Sequence, residues 1–494
     1  MSALEYFYKL CSIPHRSYHT QAMREFLCAE CERLGFKIYI DEAGNIYASK
    51  PSILDSTAMR PKVCLQAHYD MVGVGVAAED RALELVEEGQ FLRARDSSLG
   101  ADNGAAIAAI LWCMKRGGGD FEVLFTNDEE VGLCGANALA IPIKAPFLLN
   151  LDSEVFGEVI VGCAGGFDAL CSFAATTYDV YGGVWIESFG FSGGHSGVDI
   201  HKNIKSSLAE FFAVFGWISE YLGEKSGIIL THLQAGEKSN SIAVGLNAQI
   251  AFSTQEIALH CAQSLHALMT MEKVDSTLIH HIALESSGDF QVWRIFVGPN
   301  AGFVLKMIEN PSKKARVLGY EMAHLAHFVR GLRQGVWEQD AHIILSSLNI
   351  ALARTHDQHL DFTLKARANK DDLLESMRTS ILEISGRFCQ KLATISGFYA
   401  PWQRQLADDH PILQCIQQAF EWRHTEIGEI HAGLECGILQ ERFAQMGLGS
   451  VLMASIGPTI LAPHSVQERL DIGSFEEFVK VLDRLIASLP SNLP

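Results

Sequence analysis

The first third of the chain alternates short apolar runs with helical patterns. Apolar runs at 63–67, 122–126 and 147–151 predict buried strands. The Ala-, Ile- and Leu-rich segment Leu99–Arg116, which stops at a run of three glycines, predicts a helix. This alternation of strands and helices is typical of an α/β fold with a mostly parallel sheet. The C-terminal part repeats the pattern, with a helix predicted over 413–422, a buried strand over 450–456 and a final amphipathic helix over 474–489.

The middle of the chain follows a different pattern. Alternating polar and apolar residues over 350–367 predict strands with one buried face, and 207–222 and 321–332 predict long amphipathic helices. We interpret this region as an α+β domain inserted into the first, because insertions are tolerated where chain ends meet at a surface. The predicted boundaries are 1–184 and 390–494 for the two parts of the catalytic domain and 185–389 for the insertion.

Composition excludes several classes of protein. The 494 residues are 48% hydrophobic and 20% charged, which allows a large core. Lys and Arg number 39 against 58 Asp and Glu, a net charge of −19, so a nucleic-acid partner is not expected. The longest apolar stretch, from Gly447, is broken by Ser, Gly and Pro, and we expect no membrane segment. The N-terminus lacks a basic region and carries Glu5, so we predict no signal peptide. Twelve sparse Cys residues indicate reduced thiols in a cytoplasmic protein.

Three familiar motifs appear without the context that would give them a function. Gly73–Ala78 matches a dinucleotide fingerprint, but a charged stretch rather than a clear helix follows it. Gly190–Gly194 matches the nucleophile elbow of serine hydrolases, yet it lies in the insertion and favours a glycine-dependent loop. Cys28 and Cys31 form a single CxxC inside a helical pattern, which is more typical of structural thiols than of a metal site.

Acidic residues and histidines follow the predicted strands at the points where these end. Ligands of open α/β sheets bind beyond the carboxyl ends of the strands, so these side chains are expected to converge. His68 and Asp70, two apart on an extended chain, can face the same site. The set consists of His68, Asp70, Asp102, Asp128, Glu129, Glu130, Asp152 and His464.

Each of these residues taken alone would more often be a cap or a turn residue. Together, their carboxylates would repel one another unless cations neutralised them. Carboxylate and imidazole groups are suitable ligands for Zn²⁺ or Mn²⁺, a carboxylate can bridge two metal ions, and a further carboxylate can act as a general base. The pattern alone does not decide whether Glu129 or Glu130 is that base.

The motifs around these residues closely resemble the aminoacyl-histidine dipeptidases (Xaa-His dipeptidases), which are di-zinc peptidases related to carnosinases and carboxypeptidase G-like enzymes. The resemblance runs over nearly the whole chain and is loosest in the insertion. Its motifs are HYDMV, SSLGADNG, TNDEEVGLCGA, NLDSEVFGEVIVGCAGG, FSGGHSGVDIHK, HAGLECG and SIGPTILAPHS.

The resemblance implies a centre of two divalent ions, zinc by preference, with manganese or cobalt as alternatives. His68 and Asp152 would hold one ion, Glu130 and His464 the other, and Asp102 would bridge them. The implied reaction is hydrolysis of dipeptides, of the Xaa-His type, by a metal-bridged water.

The resemblance also implies catalytic and substrate-binding residues. Glu129 would be the general base, and Asp70 would orient His68. In the insertion, which resembles a lid and dimerisation domain, His195 would stabilise the oxyanion. Asn240 and Arg367 would contact the substrate. A homodimer acting on small peptides is expected.

The insertion departs from the family at several positions. Ser239 stands where the family usually has Arg, Ala243 where it has Pro, and Asn203 where a glycine is common. These differences concern substrate specificity more than hydrolysis. Two alternatives therefore stay open: an amidohydrolase or deacylase with the same metal centre, and a non-catalytic binding protein that retains the fold.

Overall fold

The chain folds into two compact units in a computed structural model. The first unit comprises Met1–Ala164 and Ala400–Pro494, and the second comprises Gly165–Tyr399. The predicted insertion, 185–389, lies inside the second unit, which begins earlier and ends later than we predicted. The described residues are 1–54, 60–117, 120–221, 227–258, 278–287, 290–340, 343–421 and 424–490.

Helices occur in both units. They are α1 Ala3–Cys11, α2 Gln21–Arg33, α3 Pro51–Leu54, α4 Ala101–Arg116, α5 Cys134–Asn137, α6 Ser207–Tyr221, α7 Met322–Leu332, α8 Asp371–Phe388, α9 Pro411–Ala419, α10 Glu435–Gln445 and α11 Ile472–Ser488. Short 3₁₀ turns lie at Val76–Glu79 and Ile200–Lys202.

The strands of the first unit are β1 Lys37–Ile40, β2 Ile46–Ser49, β3 Val63–His68, β4 Leu85–Glu88, β5 Phe91–Ala94, β6 Phe121–Thr126, β7 Phe147–Asn150 and β8 Glu158–Cys163. Those of the second unit are β9 Gly165–Ala174, β10 Thr176–Phe189, β11 Ile228–Ala235, β12 Leu246–Phe252, β13 His281–Ser287, β14 Phe290–Phe296, β15 Gly302–Glu321, β16 Gly335–Asp340, β17 Ile343–Thr355, β18 His359–Ala368 and β19 Thr394–Tyr399. The first unit resumes with β20 Glu426–Ile430, β21 Leu452–Ser455, β22 Ile460–Leu461 and β23 Arg469–Asp471.

The first unit is built on a mixed sheet. Within the described residues it has eight strands in the order β1-β2-β6-β3-β7-β21-β8-β20. Its central strands β6, β3, β7 and β21 run parallel to one another. Every residue of β3, β6 and β7 is buried, which is why these strands appear in the sequence as continuous apolar runs. The predicted α/β class is confirmed.

The second unit is an antiparallel sheet with helices packed against it. In the part of the chain that the structure describes, its main path runs β13-β14-β15-β10-β12-β11-β17-β18-β9-β19. The predicted alternation over 350–367 is the hairpin of β17 and β18. The unit begins earlier than predicted because β9 pairs with both β18 and β19, so the chain from Gly165 onward belongs to this sheet.

Local signals in the sequence set several of the element boundaries. Ser2 and Glu5 form a reciprocal capping box at the start of α1. Helix α4 ends at Gly117, whose φ of 74° is left-handed and suits glycine. The final helix α11 begins after Asp471, whose side chain accepts a hydrogen bond from the Ser474 amide.

The motifs that lacked context have structural explanations. Gly73–Ala78 is a loop leading into a 3₁₀ turn and not the opening of a helix. At Gly190, φ is 73° and an added Cβ would lie 1.9 Å from the Asn300 carbonyl oxygen, so this loop requires glycine. Cys28 and Cys31 lie on α2 as free thiols. Among the described residues, no helix combines the length and the apolar character needed to cross a membrane.

Candidate metal centre

Three parallel strands carry the candidate ligands of the first unit to one edge of its sheet. Strands β6, β3 and β7 are neighbours, and they end at Thr126, His68 and Asn150. Because the register aligns these ends, the loops that follow them start side by side. Glu129 and Glu130 follow β6, and Asp152 follows β7.

The Asp102 carboxylate lies between two imidazoles. Its Oδ1 is 3.1 Å from Nε2 of His68, and its Oδ2 is 2.9 Å from Nε2 of His464. Asp102 is held at the start of α4, and His464 lies between β22 and β23. One carboxylate oxygen therefore faces each imidazole, which is the arrangement that a bridging ligand requires.

Each imidazole also has a second carboxylate beside it. Oδ1 of Asp152 is 3.4 Å from Nε2 of His68, and Oε2 of Glu130 is 3.0 Å from Nε2 of His464. The five predicted ligands thus form two His–carboxylate pairs that share Asp102. Asp128, which belonged to the set predicted from the strand ends, is not part of this group, because its carboxylate accepts hydrogen bonds from the Tyr18 amide and the Asn127 side chain.

The donor set suits divalent cations. One ligand atom each from His68, Asp102 and Glu130 lie within 4.8 Å of one another. The second carboxylate oxygen of Glu130, Oε1, is buried and accepts no hydrogen bond from the described residues. Buried carboxylate oxygens normally accept a hydrogen bond, so one without a protein donor beside imidazole nitrogens is suited to bind a metal ion.

Electrostatics at this edge also favour a cation. Burial and the neighbouring Asp102 carboxylate raise the pKa of Glu130 to about 7. Burial raises the pKa of Asp152, and burial together with Asp102 raises the pKa of Glu154 to about 8. Burial opposes the charge on His464, but hydrogen bonds to Asp102 and Glu130 raise its pKa to about 12. The acids outnumber the bases, so positive charge is strongly stabilised here.

Glu129 differs from Glu130 in its surroundings. The Glu130 carboxylate contacts His464, whereas the Glu129 carboxylate makes no hydrogen bond or ion pair with any residue that the structure describes. Burial, and then repulsion by Glu130, hold the pKa of Glu129 well above its ordinary value. The Glu129 side chain is therefore half-buried, its affinity for a proton is raised, and no described residue forms a hydrogen bond or ion pair with its carboxylate.

Asp70 organises the loop that carries these two glutamates. Its carboxylate accepts hydrogen bonds from the amides of Glu129, at 2.8 Å, and Glu130, at 3.3 Å, and from the Ser17 hydroxyl, at 2.8 Å. Its Oδ1 lies 3.4 Å from Nδ1 of His68, but the backbone carbonyl of Asp70 is nearer, at 3.0 Å. Asp70 thus contacts His68 through its carbonyl as well as the predicted carboxylate.

Sequence reasoning missed Glu468. This residue is 2% exposed, and its carboxylate accepts hydrogen bonds from the amides of Leu99 and Ala101, both at 2.8 Å, and of Asp102, at 3.4 Å. It fixes the loop that presents Asp102. Its position four residues after His464 is the signal that could have drawn attention to it.

Sequence reasoning also gave no role to Glu435. It is fully buried at the start of α10, and its Oε2 accepts hydrogen bonds from Gln66 and Thr126, both at 2.6 Å. Gln66 in turn accepts a hydrogen bond from Asn150. Gln66 and Asn150 stand two residues before His68 and Asp152, so this network lies directly beneath the ligands. Its motif, HAGLECG, supported the family resemblance but not this function.

The other predicted residues lie in the second unit. Nδ1 of His195 accepts hydrogen bonds from the amides of Gly197 and Val198, so Nε2 carries the proton of the neutral ring. The backbone carbonyl of Asn240 accepts a hydrogen bond from the Ser196 amide, which ties the two loops together. Arg367 is buried on β18. The roles of these residues toward the substrate stay predictions.

Comparison with known proteins agrees with the geometry. The chain matches Peptidase family M20/M25/M40 over residues 64–488. It is 28% identical to the cytosol non-specific dipeptidase of Escherichia coli (strain K12), over 98% of this chain and 97% of that protein.

Solved structures agree as well. The aminoacylhistidine dipeptidase of Vibrio alginolyticus superposes with a TM-score of 0.73 at 25% identity, covering 99% of this chain and 97% of that one. A tripeptidase from Staphylococcus aureus shares the fold, with a TM-score of 0.51 at 14% identity, and covers 99% of this chain and 97% of its own. The predicted family relationship is confirmed: the chain belongs to Peptidase family M20/M25/M40 and is a metallopeptidase.

Proposed function

We propose that this metallopeptidase hydrolyses dipeptides, with Xaa-His dipeptides among its substrates. The observation that carries the proposal is the pair of His–carboxylate groups joined by Asp102, with the free carboxyl group of Glu129 beside them. The printed names of the Escherichia coli and Vibrio relatives, a non-specific dipeptidase and an aminoacylhistidine dipeptidase, support the substrate class.

In this proposal, His68 and Asp152 would hold one divalent ion, Glu130 and His464 would hold a second, and Asp102 would help to hold both. Zinc is the preferred candidate because imidazole and carboxylate groups suit it, with manganese and cobalt as alternatives. Bound ions would polarise the scissile carbonyl and lower the pKa of the attacking water.

Glu129 is the proposed general base. Its carboxyl group makes no hydrogen bond or ion pair with any described residue, and burial raises its pKa, which increases its affinity for a proton. It would take a proton from the attacking water and deliver it to the leaving amine. Asp70 keeps Glu129 in place through the backbone amide, 2.8 Å away, which leaves the side chain available for proton transfer.

Residues of the second unit complete the proposal. His195, with its proton on Nε2, would donate to the oxyanion, and Asn240 and Arg367 would contact the substrate. We further propose a homodimer and a cytoplasmic location, in keeping with the name of the cytosol dipeptidase relative.

A panel of dipeptides assayed with the purified protein in Zn²⁺, Mn²⁺ and Co²⁺ tests this function. We expect hydrolysis of free dipeptides, Xaa-His included, and loss of activity after chelation. Elemental analysis of the same samples should find about two ions per chain. A metal-loaded protein that cleaves N-acyl-amino acids but no dipeptide would contradict the proposal in favour of a deacylase.

A further inference from the structure

The second unit contains two cysteines whose thiol groups lie in contact. Cys171 is on β9, and Cys389 follows the last residue of α8, 218 positions further along the chain. Both are free thiols, and a hydrogen bond joins their sulfur atoms. Because the two residues are so far apart in the sequence, this contact exists only where the end of α8 packs against β9.

Packing on both sides of the thiols fixes the end of α8 against β9. The side-chain oxygen of Gln390 accepts a hydrogen bond from the Ala174 amide at 3.0 Å. The rings of Phe388 and Phe173 both contact Phe328, with centroid distances of 6.1 and 4.9 Å. Both cysteines also pack in the same hydrophobic core. The two thiols are therefore held together by the surrounding fold and not only by their own hydrogen bond.

The two thiols have different environments. Cys171 is fully buried, whereas Cys389 is half-buried. Their hydrogen bond lowers the pKa of the Cys389 thiol, while the same hydrogen bond, together with burial, raises the pKa of Cys171. Arg387 and Lys391, on either side of Cys389 in the sequence, are exposed. A partly exposed thiol that loses its proton easily, next to a buried thiol, suits a peroxide-reactive cysteine and its resolving partner.

Other cysteines of the described chain differ from this pair. Cys28 and Cys31 lie one turn apart on α2, and burial raises the pKa of both thiols. Cys163 and Cys436 are both buried in the first unit. Cys134 is exposed, but partial burial of its thiol raises the pKa. Within the described residues, the pair on β9 and after α8 therefore combines access, a lowered pKa and a neighbouring thiol.

We propose that Cys389 is a site of reversible oxidation by peroxides, and that Cys171 converts the oxidised product into a disulfide. The Cys389 thiolate attacks one peroxide oxygen, the O–O bond breaks, hydroxide leaves, and Cys389 becomes a sulfenic acid. The Cys171 sulfur, losing its proton, then attacks the Cys389 sulfur. The S–O bond breaks, the S–S bond forms, and the proton and the departing hydroxide form water. The two thiols lose two electrons, and hydrogen peroxide is reduced to two waters.

The disulfide would join the strand that opens the second unit to the end of a helix near the close of that unit. It closes a loop that contains most of the unit, and such a cross-link stabilises a fold mainly by restricting the unfolded chain. Disulfides in a reducing compartment are usually transient, so thiol reductants would remove this one after the oxidant is gone. The site goes beyond peptide hydrolysis and does not depend on the identity of the substrate.

Peroxide treatment of the metal-loaded protein tests the site. Mass spectrometry of an unreduced chymotryptic digest, in which Phe167 separates Cys163 from Cys171, should find a peptide pair that links Cys171 to Cys389. The Tm should rise by about 5–10 °C and return to its starting value with dithiothreitol, since the closed loop is long. Cys134→Ser removes an exposed thiol elsewhere and is the control, which should behave as wild type.

Two variants separate the roles of the thiols. Cys171→Ala should stop the reaction at the sulfenic acid of Cys389, which dimedone labels. Cys389→Ser should give neither the label at this position nor the rise in Tm. A wild-type protein in which peroxide modifies Cys134 but leaves Cys389 unmodified, or links Cys389 to another cysteine, would overturn the proposal. If Cys171→Ala does not fold, the half-buried Cys389→Ser decides, and a rise in Tm that persists in this variant refutes the disulfide.

Discussion

The two units bury charges of opposite sign. In the first, acidic groups crowd around His68 and His464 at the ends of parallel strands, and several of their pKa values are raised. In the second, Lys365 and Arg367 lie on one face of an antiparallel sheet, and Asp168 pairs with Lys365. A folded chain tolerates such imbalance where a ligand of the opposite charge completes the site. Metal ions would complete the first cluster, and the substrate that we propose Arg367 to contact would complete the second.

The two clusters also differ in how the fold positions them. The ligands of the first unit lie on loops that follow buried strands, so their positions are set by where the strands end. The cations of the second unit lie within a strand, and their surroundings depend on the register with β9 and β19. The first arrangement can be predicted from the local sequence pattern, whereas the second forms only when strands that are distant in the sequence pair.

The largest expected effect is on turnover, and it distinguishes Glu129 from Glu130 in the acidic cluster. Glu129→Gln should retain the metals and the fold while turnover falls about a hundredfold or more, since proton transfer is lost. Glu130→Gln should instead weaken metal binding, because this carboxylate contacts His464. Elemental analysis and steady-state kinetics of both variants check the assignment. If Glu129→Gln sheds metal and Glu130→Gln does not, the two roles are reversed.

The strand-end rule explains what the sequence could predict. The apolar runs before His68, Glu129 and Asp152 marked three adjacent parallel strands, and the ligands that follow these strands lie close to Asp102 and His464. The division between base and ligand came from the resemblance alone. The separate environments of Glu129 and Glu130 support it physically.

Contacts between residues that are far apart in the sequence could not be predicted from local patterns. Glu468 accepts hydrogen bonds from amides 366 to 369 residues away, and Glu435 accepts one from Gln66, 369 residues away. Neither pairing has a local signature. The boundary of the second unit was misplaced for a similar reason, since β9 belongs to it by pairing with β18 and β19 rather than by any change in composition.

The second prediction concerns the network beneath the metal ligands. Glu435→Ala removes the acceptor shared by Gln66 and Thr126, so metal affinity should fall about 10–100-fold. Glu435→Gln keeps an oxygen for both donors and should lose less. Glu441→Gln, an exposed glutamate on the same helix α10, is the matched control. Competition with a metal-binding dye measures the affinity, and equal losses in all three variants would refute a positioning role.

The third prediction tests the charge imbalance of the first unit directly. Burial raises the pKa values of Glu130, Glu435 and Glu154 to about 7, 7 and 8, above the ordinary value of 4.5. A carboxyl with a raised pKa binds more protons when folded, so the folded state loses stability as pH rises from about 4.5 to 8. His464, with a raised pKa, acts in the same direction.

Thermal unfolding of chelator-treated protein at pH 5.5 and pH 8 measures this effect. The Tm should be lower at pH 8, and saturating metal should reduce the difference, because metal ions then compensate the carboxylates in place of protons. Asp70 and Asp102, whose pKa values are lowered, would reverse the trend only at more acidic pH. A Tm of metal-free protein that is flat or rises from pH 5.5 to 8 would contradict the imbalance.

The smallest expected effect concerns the position where the chain departs from its family in the second unit. Ser239 stands in a half-buried turn directly before Asn240, and the resemblance implies an Arg at this position. Ser239→Arg would add a cationic donor, and a partly exposed charge of this kind contributes modestly. We expect about a threefold lower KM for free dipeptides and no change for amidated ones. A gain shared equally by free and amidated substrates would show that position 239 acts on another part of the substrate.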